Sequence, residues 1–346
     1  MGARRGTYTR RTSGERTLSP SPQTPPSSPG QPGSTAAPGP RTGLPQPLSV
    51  EAIDEVVLPA LGEDTLEGGG RMPGEALAMG RDLTSLNAVP AGARARARLV
   101  SKASGTLAGL AVFARVFELC DPGARIELAS SDGDTIAPGD ELARIEGQAR
   151  ALLMAERTAL NLIQRMSGIA TLTALHVAAC DGRARVLDTR KTTPNLRTLE
   201  KYAVRCGGGE NHRFGLFDEV MIKDNHVDLA GRDLVEVVRS TREAVGPGVR
   251  ITAEARDQQE ALAGVAGGAD VVMLDNMSVE LMAELCPRLR RAAAEQGRTV
   301  ELEASGGIDL GTIAGVAGSG VDRISVGALT HSAPALDLSL YLEPCR

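Results

Sequence analysis

Short β-branched runs alternate with amphipathic segments from about residue 185 onward, and this alternation constrains the fold more than any other feature of the chain. Six runs have the composition of strands, at residues 185–189, 220–223, 250–255, 270–275, 299–304 and 322–326. Strand and helix repeated this often require parallel strands joined by right-handed crossovers. We therefore predict a barrel-like or doubly wound α/β domain. Even with a seventh strand near 206–214, a complete eight-unit barrel is not expected.

The residues before this repeat predict a smaller α/β layer. Ser49 is placed to cap a helix with apolar residues at helical spacing. Arginine and alanine alternate strictly over 93–99, as in a strand with one solvated face. A helix over 107–119 and strands over 125–129 and 142–146 complete the layer. A long helix over 148–179, with a break at Ser167–Gly168, leads into the strand–helix repeat.

Residues 1–47 hold ten of the twenty prolines and almost no large apolar residues. Such a segment buries too little surface to offset its ordering entropy, so it is predicted to be a disordered tail. A glycine-rich stretch over 68–80 is predicted to be a surface loop.

Charge and composition exclude several classes of protein. The net charge of -5 argues against nucleic acid as a partner, and no apolar run is long enough for a membrane span. Five cysteines without a C-x-x-C pair favour a reducing compartment, which indicates a cytoplasmic protein. Only four of the 38 basic residues are lysines, so each lysine is a candidate for a position that needs a compact ammonium.

Polar side chains follow the predicted strands at the end where an α/β domain builds its active site. Cations dominate this set, which comprises Arg157, Arg190, Lys191, His212, Arg213 and Lys223. A pocket lined by these groups would suit a multiply anionic ligand. Glu254 and Asp275 add carboxylates suited to ribose hydroxyls or to Mg²⁺ that bridges phosphates.

Two glycine-containing loops follow the last two strands. Ser305-Gly306-Gly307 is expected to open a helix, whose bare N–H groups and dipole could bind a phosphate. Ser325-Val326-Gly327 lies at the next strand end, where barrels commonly complete such a site. Each residue also has a plainer interpretation, because charged loop residues are often only solvated and Asp275 could cap a helix near Ser278. Their joint placement is what favours a site.

Several motifs in fixed order resemble those of quinolinate phosphoribosyltransferases. They are ERTALN at 156–161, SGIAT at 167–171, DTRKTTP at 188–194, KYAVRCGGG at 201–209, NHR at 211–213 and IKDNH at 222–226. The resemblance covers about residues 48–342. It implies transfer of the phosphoribosyl group of PRPP to quinolinate with decarboxylation, forming nicotinate mononucleotide, pyrophosphate and CO₂ in NAD biosynthesis.

The resemblance also implies the architecture, which is the type II phosphoribosyltransferase fold. An N-terminal α/β sandwich over 48–158, joined by 329–346, would pack on an open, incomplete α/β barrel over 159–328. The protein would be a homodimer or higher homo-oligomer, with each active site shared between subunits and Mg²⁺ as cofactor.

The same likeness assigns roles to individual residues. Arg157 would reach in from the partner subunit. The remaining substrate-binding residues would be Thr189, Arg190, Lys191, His212, Arg213 and Lys223. Lys191, Lys223, Glu254 and Asp275 would be the catalytic groups, the two carboxylates facing ribose and Mg²⁺. The loops Ser305-Gly306-Gly307 and Ser325-Val326-Gly327 would hold the 5′-phosphate.

The chain departs from the family pattern at a few positions. Thr252 stands where a glutamate usually precedes the one matched to Glu254, Ala304 replaces a common serine, and Asn195 replaces a common glycine. The loop over 65–80 also looks longer than usual.

Three alternative functions stay open on the sequence. One is a related phosphoribosyltransferase acting on another pyridine or small anion. Another is a non-catalytic barrel that binds nucleotides or PRPP without releasing pyrophosphate. The third is a barrel isomerase or aldolase with Lys223 as a Schiff-base amine, which requires that lysine to be desolvated away from other cations.

Overall fold

Residues 45–67, 70 and 82–345 are those that the computed structural model describes. All of them belong to one unit, Pro40–Arg346. The predicted disordered tail lies outside the described residues except for 45–47, which have no regular secondary structure. The predicted glycine-rich loop over 68–80 also lies outside them, apart from Gly70.

Helices and strands alternate along most of the described chain. The helices are α1 (Val50–Thr65), α2 (Leu83–Ala88), α3 (Leu110–Cys120), α4 (Ala149–Cys180), α5 (Arg197–Cys206), α6 (Asp224–Ala230), α7 (Leu234–Val245), α8 (Gln258–Gly267), α9 (Val279–Glu295), α10 (Ile313–Gly318) and α11 (Ala328–His331). The strands are β1 (Arg94–Ser101), β2 (Gly105–Thr106), β3 (Arg125–Leu128), β4 (Thr135–Ile136), β5 (Glu141–Gln148), β6 (Arg185–Leu187), β7 (Val220–Ile222), β8 (Ile251–Ala255), β9 (Val271–Asp275), β10 (Glu301–Ser305), β11 (Arg323–Ser325) and β12 (Leu338–Pro344).

The first layer is an antiparallel sheet with strand order β12-β1-β5-β3. The alternation in β1 is confirmed, because Ala95, Ala97 and Leu99 are buried while the arginines between them are exposed. α1 also begins as predicted, with the Oγ atom of Ser49 accepting the backbone N–H of Ala52 at 3.2 Å. β12 pairs antiparallel with β1, so the last described segment returns to the first layer.

The second sheet is wholly parallel and has six strands in the order β6-β11-β10-β9-β8-β7. All six predicted strands are therefore confirmed. The seventh is not formed within the described chain, where Glu210 makes only an isolated bridge to Leu187. Because the strands are parallel, their carboxyl ends share one edge of the sheet, and the residues that follow them gather there.

The predicted break in the long helix is wrong, because α4 runs without interruption from Ala149 to Cys180. Glycine is needed at position 168 because the backbone of Pro334 packs directly against α4. A Cβ at this position would lie 2.0 Å from the carbonyl oxygen of Pro334. Ser167 uses its hydroxyl to accept the backbone N–H of Ala108 at 3.1 Å. Both residues thus fix neighbouring segments against α4.

This open six-stranded sheet is the predicted incomplete α/β barrel, and its interior contains a buried carboxylate at Glu303, in the middle of β10. It accepts a hydrogen bond from the Nε atom of Arg323 at 2.6 Å and another from the hydroxyl of Ser325, and it lies 3.4 Å from the Nε2 atom of His212. Burial alone would raise the pKa of Glu303, but these hydrogen bonds and the Arg323 charge together lower it. The carboxylate is therefore ionised inside the barrel.

Among residues 45–67, 70 and 82–345, no helix combines the length and the apolar character needed to cross a lipid bilayer.

The close approach at Gly168 predicts the sign of a stability change. Alanine is normally better than glycine inside a helix by about 1 kcal/mol. Gly168→Ala should instead lower the free energy of unfolding by about 1–3 kcal/mol, because the added methyl meets a backbone oxygen. Urea denaturation would measure this, with Gly92→Ala as the control in open space. Stabilisation by Gly168→Ala would contradict the packing described.

The buried carboxylate predicts a pH-dependent stability difference. Glu303→Gln should lower the free energy of unfolding at neutral pH by about 3 kcal/mol, because it leaves Arg323 without its buried partner charge. The pKa of Glu303 is lower in the folded state than its ordinary value of 4.5. The stabilisation is therefore fully present above that value and is lost as the pH falls through the folded pKa.

Urea denaturation of both proteins between neutral and acidic pH would test this. The difference between wild type and variant should shrink in acid, and a difference that grows would contradict the account. Glu146→Gln, which removes an exposed partner of Arg96, is the matched control and should show little change.

Candidate functional site

Asp188, which follows β6, ties together two of the predicted site segments. Its buried carboxylate accepts hydrogen bonds from Lys201 Nζ at 2.5 Å, from Asn211 Nδ2 at 2.6 Å and from the backbone N–H of His212 at 2.9 Å. Burial raises the pKa of Asp188 and lowers that of Lys201, and their mutual attraction opposes both shifts. This pair holds the segment with Arg213 beside the end of β6.

The segments that carry Arg190 and Arg213 are joined by Arg197, which donates to the backbone carbonyls of Arg190 at 3.4 Å and of Phe214 at 3.0 Å. The guanidinium of Arg213 donates to the backbone carbonyl of Glu219 at 3.1 Å. Burial, followed by the positive charge of Arg190, lowers the pKa of Arg213. The Nε atom of Arg190 is buried and has no hydrogen-bond partner within the described chain. An anion between these two groups would satisfy the donor and neutralise the charge.

His212 is buried beside Arg213. Its Nδ1 atom accepts the backbone N–H of Arg213 at 2.7 Å, and its Nε2 atom lies 3.4 Å from Glu303. Both ring nitrogens therefore contact protein groups. His212 supports the backbone of Arg213 from inside the barrel.

Lys223 and Glu254 form an ion pair across the ends of β7 and β8. Glu254 is mostly buried, whereas Lys223 is partly exposed. The hydroxyl of Thr252 donates to Glu219 at 2.6 Å and so is engaged with a different carboxylate. A Schiff-base lysine would have to be a desolvated amine, and an ion-paired, partly exposed Lys223 does not meet that requirement.

The loop after β10 differs from its prediction in one respect. α10 begins only at Ile313, so the glycine pair does not open a helix. Gly306 and Gly307 instead adopt left-handed backbone conformations, with φ of 94° and 60°. A Cβ on Gly306 would lie 2.3 Å from Oδ1 of Asn276, so the loop packs closely against the end of β9.

The loop after β11 leads directly into α11, whose N-cap is Gly327. The hydroxyl of Ser325 donates to Glu303 and the N–H of Val326 donates to Leu187 at 2.9 Å, so neither points to a ligand. Lys191 lies against this loop, since a Cβ on Gly327 would be 3.0 Å from its Cδ atom. The Lys191 ammonium and the start of α11 are thus neighbours.

Two local features hold the segment after β6 in shape. The hydroxyl of Thr189 accepts the backbone N–H of Lys191 at 3.0 Å, so it orders the turn that carries the lysine. Asn195 has a φ of 66°, a left-handed conformation that asparagine tolerates better than most residues. The exchange of glycine for asparagine at this position is therefore compatible with the backbone.

Asp275 ends β9 in register with Ser305 and accepts the side-chain amide of Asn276 at 2.7 Å. It does not cap α9, because the hydroxyl of Ser278 does so itself. No group of three or more potential metal ligands occurs in the described chain.

Within the described part of the chain, no contact links the predicted site residue Arg157 to this edge of the sheet. It is exposed on α4 and forms no hydrogen bond or ion pair with the other predicted residues in the described part of the chain. Its side chain is available to another molecule.

Comparison with known proteins gives the same assignment over most of the chain. Family models described as the N-terminal and C-terminal domains of quinolinate phosphoribosyl transferase match residues 82–167 and 169–341. A protein of Bacillus subtilis (strain 168) named "Probable nicotinate-nucleotide pyrophosphorylase [carboxylating]" is 44% identical over 247 residues, which cover 70% of this chain and 82% of the relative. The nicotinate-nucleotide pyrophosphorylase [carboxylating] of Mycobacterium leprae is 42% identical over 273 residues, which cover 78% and 93%.

Solved structures agree with the sequence comparison. NadC from Streptococcus pyogenes has a TM-score of 0.75 and 38% identity, and the match covers 87% of this chain and 100% of that one. The nicotinate-nucleotide pyrophosphorylase from Francisella tularensis has a TM-score of 0.73 and 32% identity, with the same coverage. The chain belongs to the quinolinate phosphoribosyl transferase family.

Proposed function

We propose that this protein transfers the phosphoribosyl group of PRPP to quinolinate and releases CO₂ and pyrophosphate, forming nicotinate mononucleotide. The observation that carries the proposal is that Arg190 and Arg213 lie on segments joined by Arg197, with the buried Nε atom of Arg190 lacking an acceptor among the described residues. The names of the relatives from Bacillus subtilis and Mycobacterium leprae support it independently.

The paired guanidiniums favour a dicarboxylate over a monocarboxylate. Quinolinate has carboxylates on two adjacent ring carbons, and planar guanidinium groups bind carboxylates through two parallel hydrogen bonds. Nicotinate has one carboxylate and would leave part of the positive charge uncompensated. The site therefore supports selection of the diacid.

The phosphorylated sugar fits beside the diacid. The N–H groups of Gly306, Gly307, Gly327 and Ala328 have no backbone acceptor among the hydrogen bonds of the described residues. Exposed N–H groups of this kind bind phosphate oxygens. Lys191, which lies against Gly327, is close enough to share the charge of a bound phosphate.

The transfer step needs position and charge, without a protein nucleophile. As the bond from C1 of ribose to pyrophosphate lengthens, positive charge develops on the sugar and negative charge on the leaving group. Lys191 and Lys223 would stabilise the leaving group, and Glu254 would stabilise the sugar cation. The pyridine nitrogen then attacks C1 and becomes quaternary, so its positive charge stabilises the electron pair left on ring carbon C2 when CO₂ leaves, and C2 then takes up a proton from water.

Mg²⁺ belongs to this proposal as a charge-neutralising partner of pyrophosphate. Asp275 and the oxygen atoms of PRPP would hold it, with Glu254 engaged by Lys223.

The proposal includes a homodimer or higher homo-oligomer in the cytoplasm. Arg157 is exposed on α4 and lacks a contact with the rest of the site. A cation in this position can complete the site of a neighbouring subunit, where it would bind the diacid together with Arg190 and Arg213.

The reaction itself is the first test. With carboxyl-labelled quinolinate, PRPP and Mg²⁺, the protein should release labelled CO₂ and pyrophosphate in equal amounts, and nicotinate should be a poor substrate. Comparable turnover of nicotinate would assign the protein to a related transferase. Binding of PRPP without pyrophosphate release would assign it to a non-catalytic sensor.

The two lysines should be required for the chemical step. Lys191→Ala or Lys223→Ala should each cost about 2–5 kcal/mol in transition-state stabilisation, measured as the loss in kcat/KM. Lys102→Ala is the matched control, because Lys102 directly follows β1 of the other sheet and donates to Tyr341 of β12. Near-normal kcat/KM in both site variants would remove these lysines from the mechanism.

The shared site should allow complementation between inactive subunits. Arg157→Ala and Lys223→Ala inactivate different halves of each site, so a mixture that exchanges subunits should regain part of the activity. Subunit exchange is checked by a tagged copy. Exchange without recovery of activity would argue that Arg157 acts within its own chain or not at all.

A further inference from the structure

Two neighbouring guanidiniums repel each other, so something must keep Arg213 beside Arg190 in the protein without ligand. The backbone after Arg213 is held by Asp218, which accepts the N–H groups of Phe214 and Gly215, and by Arg197, which donates to the carbonyl of Phe214 at 3.0 Å. These bonds fix the backbone and leave the guanidinium of Arg213 to be placed by other contacts. Those contacts lie behind it, inside the barrel.

Arg213 is held at two points. The Nδ1 atom of His212 accepts its backbone N–H at 2.7 Å, and the carbonyl of Glu219 accepts its guanidinium at 3.1 Å. His212 in turn contacts Glu303, which binds Arg323 at 2.6 Å.

Glu219 closes this chain of contacts into a ring. Its carboxylate accepts the hydroxyl of Thr252 at 2.6 Å and lies 3.9 Å from Nη2 of Arg323. We call this set the buried ring; its members are Arg213, His212, Glu303, Arg323 and Glu219. All of them except Arg213 and Glu219 are buried, and the Glu219 side chain is only 10% exposed.

We propose that Glu219 is a positioning residue that determines specificity for the diacid. Its side chain is fixed inside the barrel by Thr252 and Arg323, and its carbonyl holds the guanidinium of Arg213 facing Arg190. This role rests on the proposed function, because it assigns the pair of arginines to the two carboxylates of quinolinate.

The buried ring supports the residues that would bind the diacid, whereas other residues form the site for the phosphorylated sugar. Glu219 makes none of the contacts that hold Lys191, Gly306 or Gly327. Loss of its side chain should therefore weaken diacid binding selectively. A purely structural role would disturb both substrates alike.

Steady-state kinetics of Glu219→Ala would test the role. We expect KM for quinolinate to rise by about tenfold or more, with KM for PRPP unchanged within about twofold. Asp322→Ala is the matched control, because Asp322 accepts the N–H of Leu302 and pairs with Arg290 at the opposite edge of the same sheet. It should leave both KM values near those of the wild type.

A double substitution should restore the KM for quinolinate that is lost in the Glu219 variant. The side chains of Glu219 and Thr252 meet inside the barrel, so Glu219→Thr combined with Thr252→Glu supplies the carboxylate from the neighbouring strand. KM for quinolinate should return to within about threefold of the wild type, whereas Thr252→Glu alone places two carboxylates side by side and should not rescue. Failure of the folded double variant to recover would overturn the proposal.

A crystal structure of Glu219→Ala gives a readout that does not depend on activity. The guanidinium of Arg213 should move away from Arg190, and an unmoved guanidinium would overturn the positioning role even if quinolinate is not the substrate. Wild-type turnover of quinolinate tests the proposed function separately, so the two failures are distinguishable. Equal increases in both KM values would also count against the proposal.

Discussion

The guanidinium groups of Arg190 and Arg213 lie at the carboxyl edge of the parallel sheet. Their mutual repulsion is the constraint that the other contacts of the site must overcome. Burial, followed by the charge of Arg190, lowers the pKa of Arg213, and the buried Nε atom of Arg190 has no acceptor among the described residues. Such an arrangement costs free energy in the empty protein. A ligand with two adjacent carboxylates removes that cost when it binds.

The parallel sheet explains how the site residues are brought to one edge of the protein. A wholly parallel sheet places the ends of β6 to β11 on one edge, so short loops suffice to bring the cations, the Lys223–Glu254 pair and the glycine loops together. The barrel interior is polar at Glu303 and Arg323, and their charges are satisfied by one another and by neighbouring donors.

The sequence predicted the parallel strands and the residues that follow them, because strand period and strand ends are local patterns. It did not predict the interior charges, because Glu303 within a strand has the same local pattern as a solvated residue. His212 was expected to line the cationic pocket, but its contacts with Arg213 and Glu303 are created only by the fold. Gly168 was interpreted as a helix break for the same reason, since its partner Pro334 is distant in the sequence. The roles assigned to the site residues remain predictions.

Calorimetric binding of quinolinate and nicotinate to the free protein tests the central claim most directly, because it measures charge recognition without the chemical step. If the paired arginines select two adjacent carboxylates, quinolinate should bind at least about tenfold more tightly than nicotinate, and added salt should weaken its binding more. Equal dissociation constants for the two acids would contradict the account.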